Sequence, residues 1–378
     1  MRHALALAAA IFAIAQPCSA APDGGGNGAS IVIGQSVPLT GASAELGKQM
    51  RAGAQAYFDH INKRGGIHGR KIVLDTMDDG FDPQRATANY NALIQERGAF
   101  LIFGCIGAAT CNAAVPVISQ ANVPFVAPAN GNEIMRTPFN RNIFHTRASF
   151  ANEVEHIIDH LTTVGVTKIA VFHPDHAPGR AALATAEATL KKLNLRVAAS
   201  ATYPGENVHE IDAGVRAIGQ ADAQAVIIFG PYKLAAKFIA AMKNAGHEPQ
   251  FMTLSVVGSE ALAADLAEAG RGVGISQVVP YPWVDNLPIL VEYRDVYVRD
   301  GKGVPSFTSL EAFIGAKVLV EGLRRAGAQP TREKFVSAME SMREFNAGGL
   351  TFGYDPKSHA GTKYVELTVI GKDRKILR

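Results

Sequence analysis

From Ile31 to Ala269, short apolar runs alternate with segments whose apolar residues recur every third or fourth position. No other feature narrows the fold as far. "IVIGQSV", "FLIFGC", "VPFVAPA", "KIAVFHP" and "AQAVIIFG" are continuous apolar strands, so each needs cover on both faces. The helical stretches between them supply that cover. Leu46–Asn62, with Leu46, Met50, Ala54, Tyr57 and Ile61 on one stripe, is an example. The pattern predicts an α/β protein with parallel sheets between layers of helices. Right-handed crossovers put the strand ends on one edge, where open sheets of this kind bind ligands.

The stretch "HINKRGGIHGRKIVLDTMDDGFDPQRA", His60–Ala86, is the joint between two such units. Its glycines close a helix and make turns. Asp82 is placed to cap the next helix with Pro83 in its first position. Asp78 and Asp79 sit in a turn, where a structural role outweighs a catalytic one. Five strands precede Thr146, and the alternation then begins again, which points to two lobes. "GVGISQVVPYP", Gly272–Pro282, reads as a return from one lobe to the other. A long helix follows at Ser309–Ala326. "LTFGYDP" and "YVELTVIG" in the tail are expected to pair antiparallel at a sheet edge.

With 378 residues the chain is long enough for two cores. Residues 1–20 are set apart. Arg2 and His3 precede the small apolar run Ala4–Ala15, and Pro17, Cys18, Ser19 and Ala20 follow, as in an export signal cleaved near Ala20. Lipid modification of Cys18 is the alternative, and Gln16-Pro17 is a poor approach to it. Residues 21–29 form a glycine-rich lead-in. Lys and Arg total 37 against 34 Asp and Glu, a balance near neutral that argues against nucleic acid as a partner. Cys105 and Cys111 would meet an oxidising compartment, and both a disulfide and a reduced pair remain open.

Enzyme signatures are missing. After the first strand the chain reads "GQSVPLTG", not G-x-G-x-x-G, and it has neither a phosphate-binding G-x-x-x-x-G-K-[ST] nor a G-x-S-x-G elbow. His156 and His160 share a helix face without the glutamate of a zinc protease. No cofactor is expected.

These residues together resemble the leucine/isoleucine/valine-binding class of periplasmic solute-binding proteins, the receptors of ABC importers. The resemblance rests on "PLTG", "GG", "GR" and "DDGFDP" in order, on "VPFVAPA", on "QFMTLSVVGSEALAADL" and on "LTFGYDP", and it runs from Ala29 to the end. It implies the type I periplasmic-binding fold: two Rossmann-like lobes joined by a three-crossing hinge, closing on a small molecule that is handed to a membrane permease. It also implies a periplasmic location and a monomer. A sensory module that presents its ligand to a membrane receptor would look the same. The crossings are expected at Ile143–Thr146, Ser276–Tyr281 and Glu344–Thr351. The first lobe would hold 30–145 and 278–346, the second 147–276 and 350–378.

The resemblance also assigns ligand positions. Leu46 stands where a larger aromatic is frequent. Gly107 falls at the position of a serine that holds the ligand carboxylate, with Ala108 and Thr110 beside it; backbone N–H groups there remain able to hold an anion. Ala127, Ala129 and Asn130 match a second anchoring loop, and Tyr232 a ligand-contacting tyrosine. Ser255 replaces the acid that pairs with an amino acid's ammonium. The expected ligand is therefore an organic acid, an amide or an aromatic acid, unless Asp175, beside His173 and His176, takes over the ammonium role. Glu45 is expected to face water. Phe229 is read as core, and Trp283 as a cleft wall or a packed hinge residue.

Overall fold

The computed structural model describes residues 30–204, 211–301 and 303–378. The expected leader (1–20, with Cys18) and lead-in (21–29) lie outside the described residues. Strands β1 (Ser30–Val37), β2 (Lys71–Asp78), β3 (Leu101–Phe103), β4 (Phe125–Val126) and β5 (Ile143–Phe144) form a parallel sheet in the order β2-β1-β3-β4-β5. Strands β6 (Ile169–Pro174), β7 (Ala199–Tyr203), β8 (Ala225–Ile228), β9 (Gln250–Thr253) and β10 (Gly274–Gln277) repeat that order as β7-β6-β8-β9-β10. In both sheets the chain reverses direction of growth beside its first strand, which opens a crevice at the carboxyl ends.

Helices cover the sheets as the periodicity requires. In α1 (Ala44–Lys63), Met50, Ala54, Tyr57 and Ile61 are buried, and Leu46 at the head of the stripe is only half-buried. Asp82 caps α2 (Pro83–Gln95): its side chain accepts the Arg85 N–H at 2.7 Å, and Pro83 opens the helix. Next come α3 (Ala108–Ala121) in the first lobe, then α4 (Phe150–Thr163), α5 (Ala177–Lys192), α6 (Asp212–Gln220), α7 (Tyr232–Asn244) and α8 (Ser259–Leu266) in the second. The chain then returns through α9 (Pro288–Tyr293), α10 (Phe307–Ala326) and α11 (Arg332–Glu340). Helix α10 lies on α1. A Cβ on Gly53 would come within 2.0 Å of the Ser309 carbonyl, so only glycine permits that approach. Tyr57 meets the edge of Phe313 at 4.9 Å beside it.

The third crossing is not where the sequence placed it. Residues 344–351 fall in a small antiparallel hairpin, β11 (Phe345–Asn346) with β12 (Thr351–Phe352). The hairpin packs on the first lobe, where Ile289 N–H donates to the Gly348 carbonyl at 2.9 Å. "LTFGYDP" therefore pairs with β11. "YVELTVIG" supplies β13 (Glu366–Ile370), antiparallel to β10, and β14 (Ile376–Leu377) closes that edge. We place the third crossing instead at 359–361, alongside the first. His145 N–H donates to the His359 carbonyl at 2.9 Å, and Gly361 N–H to the His145 carbonyl at 3.0 Å. We propose lobe boundaries at these crossings, so that 350–358 stays with the first lobe.

Two histidines thus sit inside the hinge. His359 stacks on Phe144 with centroids 3.9 Å apart, and its Nδ1 faces the Ile143 carbonyl at 3.1 Å. Its Nε2 lies 3.5 Å from Glu340. His145 is buried, with Nε2 near the Met135 carbonyl. Burial lowers both pKa values below 6.5, and Arg136 reinforces the shift at His145. The unfolded chain then binds more protons than the native state as pH falls through about 6.5, so stability drops on acidification. Melting temperature is expected to fall between pH 7.5 and 5.5, and His359→Gln to reduce that fall. A melting temperature that rises over this interval would contradict the assignment.

Candidate functional site

The carboxyl ends of both sheets face one cleft of about 140 Å³. The loop after β1 contributes Ser43 and the head of α1 Leu46, the loop after β2 Phe81, the loop after β3 Ile106 and Gly107 with Ala108 at the head of α3, and the loop after β4 Ala129 and Asn130. From the second lobe come Pro174 and His176, Tyr203, Phe229 to Tyr232, and Ser255, Val256 and Gly258. Arg147 and Phe150 follow the first crossing, and Thr308 and Glu311 project from α10. The lining is chiefly apolar and aromatic, with few polar groups.

The acidic turn builds the first-lobe wall. Asp78 accepts the Leu39 N–H at 2.7 Å, the Gly80 N–H at 2.9 Å and the Thr40 hydroxyl at 2.7 Å, and Arg85 lies 3.0 Å away. Partial burial would raise its pKa, but the hydrogen bonds from Thr40, Leu39, Gly80 and Arg85 prevail and hold it far below the usual carboxylate range. Asp79 is buried, accepts the Ser36 hydroxyl and the Phe81 N–H, and is raised by burial. The pair thereby fixes the loop 39–47 and turns Phe81, at φ +66°, into the cleft. Gly107 lies against it: a Cβ there would come 2.5 Å from the Phe81 ring, and φ is +96°.

Gly107 precedes α3 and offers no side-chain cap to the first N–H groups of the helix. Cys105 and Cys111 are joined by a disulfide with Cα atoms 5.5 Å apart. The bond ties the end of β3 to the first turn of α3 and holds these N–H groups in place. Thr110 does not face the cleft. Its hydroxyl turns back to the Ile106 and Gly107 carbonyls that lead into its helix. Asn130 lines the cleft with its amide oxygen held by the Asn132 N–H at 2.9 Å. Ala127, left-handed at φ +57°, is buried behind it against Gly315 of α10.

A buried ion cluster forms the floor. Arg147 is 2% exposed and Glu153 0%. Arg147 Nη2 donates to Glu153 at 3.0 Å and to the Ser255 hydroxyl, while Nη1 donates to Glu311 at 3.2 Å. Glu153 also accepts the Ser255 N–H at 2.8 Å, the Ser255 hydroxyl at 3.0 Å and the Ser276 hydroxyl at 2.6 Å. Burial raises the Glu311 pKa against the pull of Arg147. Ser255 therefore lines the cleft as a fully engaged strut. None of Arg147, Glu153 and Glu311 was singled out from sequence. A charged residue directly after the expected crossing, Arg147, is the one available signal.

The second lobe closes the site from above. Tyr232, first residue of α7, donates its hydroxyl to the Ala42 carbonyl of the opposite lobe at 3.0 Å. Glu260 accepts the Phe307 N–H at 3.2 Å across the same gap. Phe229 is buried in the second-lobe core, as expected, and its ring also lines the cleft, where it meets the edge of Phe150 at 4.8 Å. Asp175 does not reach the cleft. Its carboxylate pairs with exposed Arg180 one turn on, at 2.8 Å, and His176 takes the wall position. Trp283 packs on Tyr281 and Phe307 outside the lining, and Glu45 faces solvent.

Removing the cation from this floor leaves two carboxylates in low dielectric. Arg147→Met is expected to destabilise the fold by about 3–5 kcal/mol. Ser255→Ala, which removes one hydroxyl, should cost less, about 1–3 kcal/mol. Chemical denaturation of both variants checks the order, and equal losses would mean that the charge is not what the floor requires.

The comparisons with known proteins agree with this geometry. The family model described as "Periplasmic binding protein" matches residues 30–375. Leu/Ile/Val-binding protein homolog 1 of Brucella abortus (strain 2308) is 28% identical over 343 residues, covering 88% of each chain. A substrate-binding periplasmic protein from Ralstonia solanacearum shares 32% identity over 92% of this chain and 99% of its own, with TM-score 0.84. An extracellular ligand-binding receptor from Verminephrobacter eiseniae shares 27% identity, over 93% and 100%, with TM-score 0.85. Such relatives are binding proteins rather than enzymes. Two repeated α/β lobes, a cleft at their facing strand ends and a match along nearly all of the described chain lead to one conclusion: the chain belongs to the periplasmic binding protein family, in its leucine/isoleucine/valine-binding class.

Proposed function

We propose that this protein is an exported receptor that captures a small carboxylate-bearing molecule with an apolar body and delivers it to an ABC importer in the membrane. One observation carries the reading. An aromatic cleft between two lobes places Phe81, Phe150, Phe229 and Tyr232 around the uncapped N–H groups of α3. Those N–H groups suit an anionic head, and the aromatic walls suit an apolar body. The Cys105–Cys111 disulfide is in keeping with an oxidising compartment. Ser255 is committed to Glu153 and Arg147, which fits the absence of an acid at that position.

The mechanism is a population shift without covalent chemistry. The cleft is lined from both lobes, so a ligand that touches both favours the closed form over the open one. Tyr232 and Glu260 already bridge the gap, which lowers the free energy that the ligand has to supply.

A thermal-shift panel of aliphatic and aromatic carboxylates, with their methyl esters as controls, tests the reading. A ligand present at about 100 times its Kd adds about 2.7 kcal/mol to apparent stability. Acids are expected to raise the melting temperature and their esters not to; equal shifts from both, or none from any acid, would sink the carboxylate assignment. Tyr232→Phe keeps the aromatic wall and loses the bond to Ala42. It is expected to populate open forms in a two-dye distance measurement across the cleft, and an unchanged distance distribution would remove that bond from the closing mechanism.

A further inference from the structure

A second concavity lies outside the cleft. An open groove of about 620 Å³ separates the C-terminal end of α1, with His60 and Arg64, from residues 285–296 of the return segment. It opens roughly 20 Å further along α1 than Leu46, which lines the cleft. Its volume is that of a small-molecule site. One wall is apolar, from Leu287, Pro288, Val291 and Val296, and Val291 is left 42% exposed. Part of that wall is π-helical, Arg294–Asp300, a geometry found mostly at functional sites. Three carboxylates also line the groove, and each is already matched. Asp285 pairs with Arg294 at 2.8 Å, Asp295 with Arg299 at 2.5 Å, and Glu292 with Lys317 of α10. Arg64, by contrast, has no acidic partner among the described residues. Burial, and then the Arg64 charge, lower the His60 pKa, so its ring is neutral at neutral pH. Lys63 and Asp300 flank the ring with opposite charges. The lining therefore carries one cation in surplus.

We propose that this groove is a second binding site, for a monoanionic amphiphile of the medium-chain carboxylate type, whose head meets Arg64 and whose chain lies along Leu287, Val291 and Val296. The apolar wall by itself would suit any alkyl chain. The surplus guanidinium selects the head, because a charge-assisted hydrogen bond to a carboxylate is about twice as strong as one to a neutral group. A cationic head finds no free acid there, since Asp285, Glu292 and Asp295 already hold bases. The site lies wholly on the first lobe, so it is available whether the cleft is open or closed. It stands apart from the receptor reading and from whatever molecule the cleft takes.

The test uses octanoate as the probe, with octanol and octylamine as controls, on the intact protein. Two native rings report the place of binding: His60 lines the groove and His176 the cleft. Their imidazole resonances are followed by NMR at fixed pH, with each probe raised to about 10 mM, which detects a Kd of about 1 mM. Octanoate is expected to shift the His60 resonances to saturation, and both controls to bind about 10-fold or more weakly. Arg64→Gln should weaken the His60-reported affinity about 10-fold, the scale of one charge-assisted hydrogen bond. Val291→Asp, at an exposed position, should abolish it. Melting curves show that each variant is folded. A His176 response that both variants leave unchanged, while the His60 response falls, supports two separate sites. No shift at His60, a shift at His176 alone, octanol or octylamine binding as well as octanoate, or a His60 response indifferent to Arg64→Gln overturns the proposal.

Discussion

Arg147 ties the two lobes together at the floor of the cleft. It directly follows the first crossing, and its guanidinium reaches Glu153 on α4 of the second lobe and Glu311 on α10 of the first. Taking these charges out of water is expensive, and a single ion pair would not offset that loss. The cluster compensates with hydrogen bonds from Ser255 and Ser276 that fill the Glu153 oxygens. A planar guanidinium can serve three acceptors in different directions at once; an ammonium in its place would not match that geometry. The polar floor therefore fixes the relative setting of α4, α10, β10 and the turn after β9.

The walls depend on that floor and on a second local device. Asp78 and Asp79 are adjacent in sequence but do opposite things. Asp78, which accepts several N–H and O–H donors, is held far below the usual carboxylate range and pins the loop after β1. Asp79, buried beneath it, sets Ser36 and Phe81. The Phe81 ring then needs the bare backbone of Gly107 beside it, and the Cys105–Cys111 bond holds that backbone in place. The stretch His60–Ala86 is thus scaffold whose purpose is to aim its neighbours.

Local signals are legible where the cause is local. The Asp82 cap, Pro83 at the helix start, the buried stripe of α1 and the five-strand count before the first crossing all follow from residues within a few positions of each other. Thr110 and Asp175 misled for the same reason in reverse. Each lies at a strand end where a ligand contact is plausible, yet each has a closer partner, a backbone carbonyl one turn back or an arginine one turn on. The hairpin at 345–352 misled because a short strand does not announce its partner; β12 pairs with β11, and β13 with β10.

The sequence by itself determined the alternation of strands and helices, the edge on which the strand ends gather, and the class to which the chain belongs. These rest on periodicity, capping and turn chemistry, which act over a few residues. Tertiary structure decided which side chains meet in the cleft. Ser255 finds Glu153 across 102 residues, Arg147 finds Glu311 across 164, and Tyr232 finds Ala42 across 190. No period or spacing encodes such encounters. They arise when two sheets, built separately, bring their edges together and leave each buried charge to take the nearest group that can satisfy it.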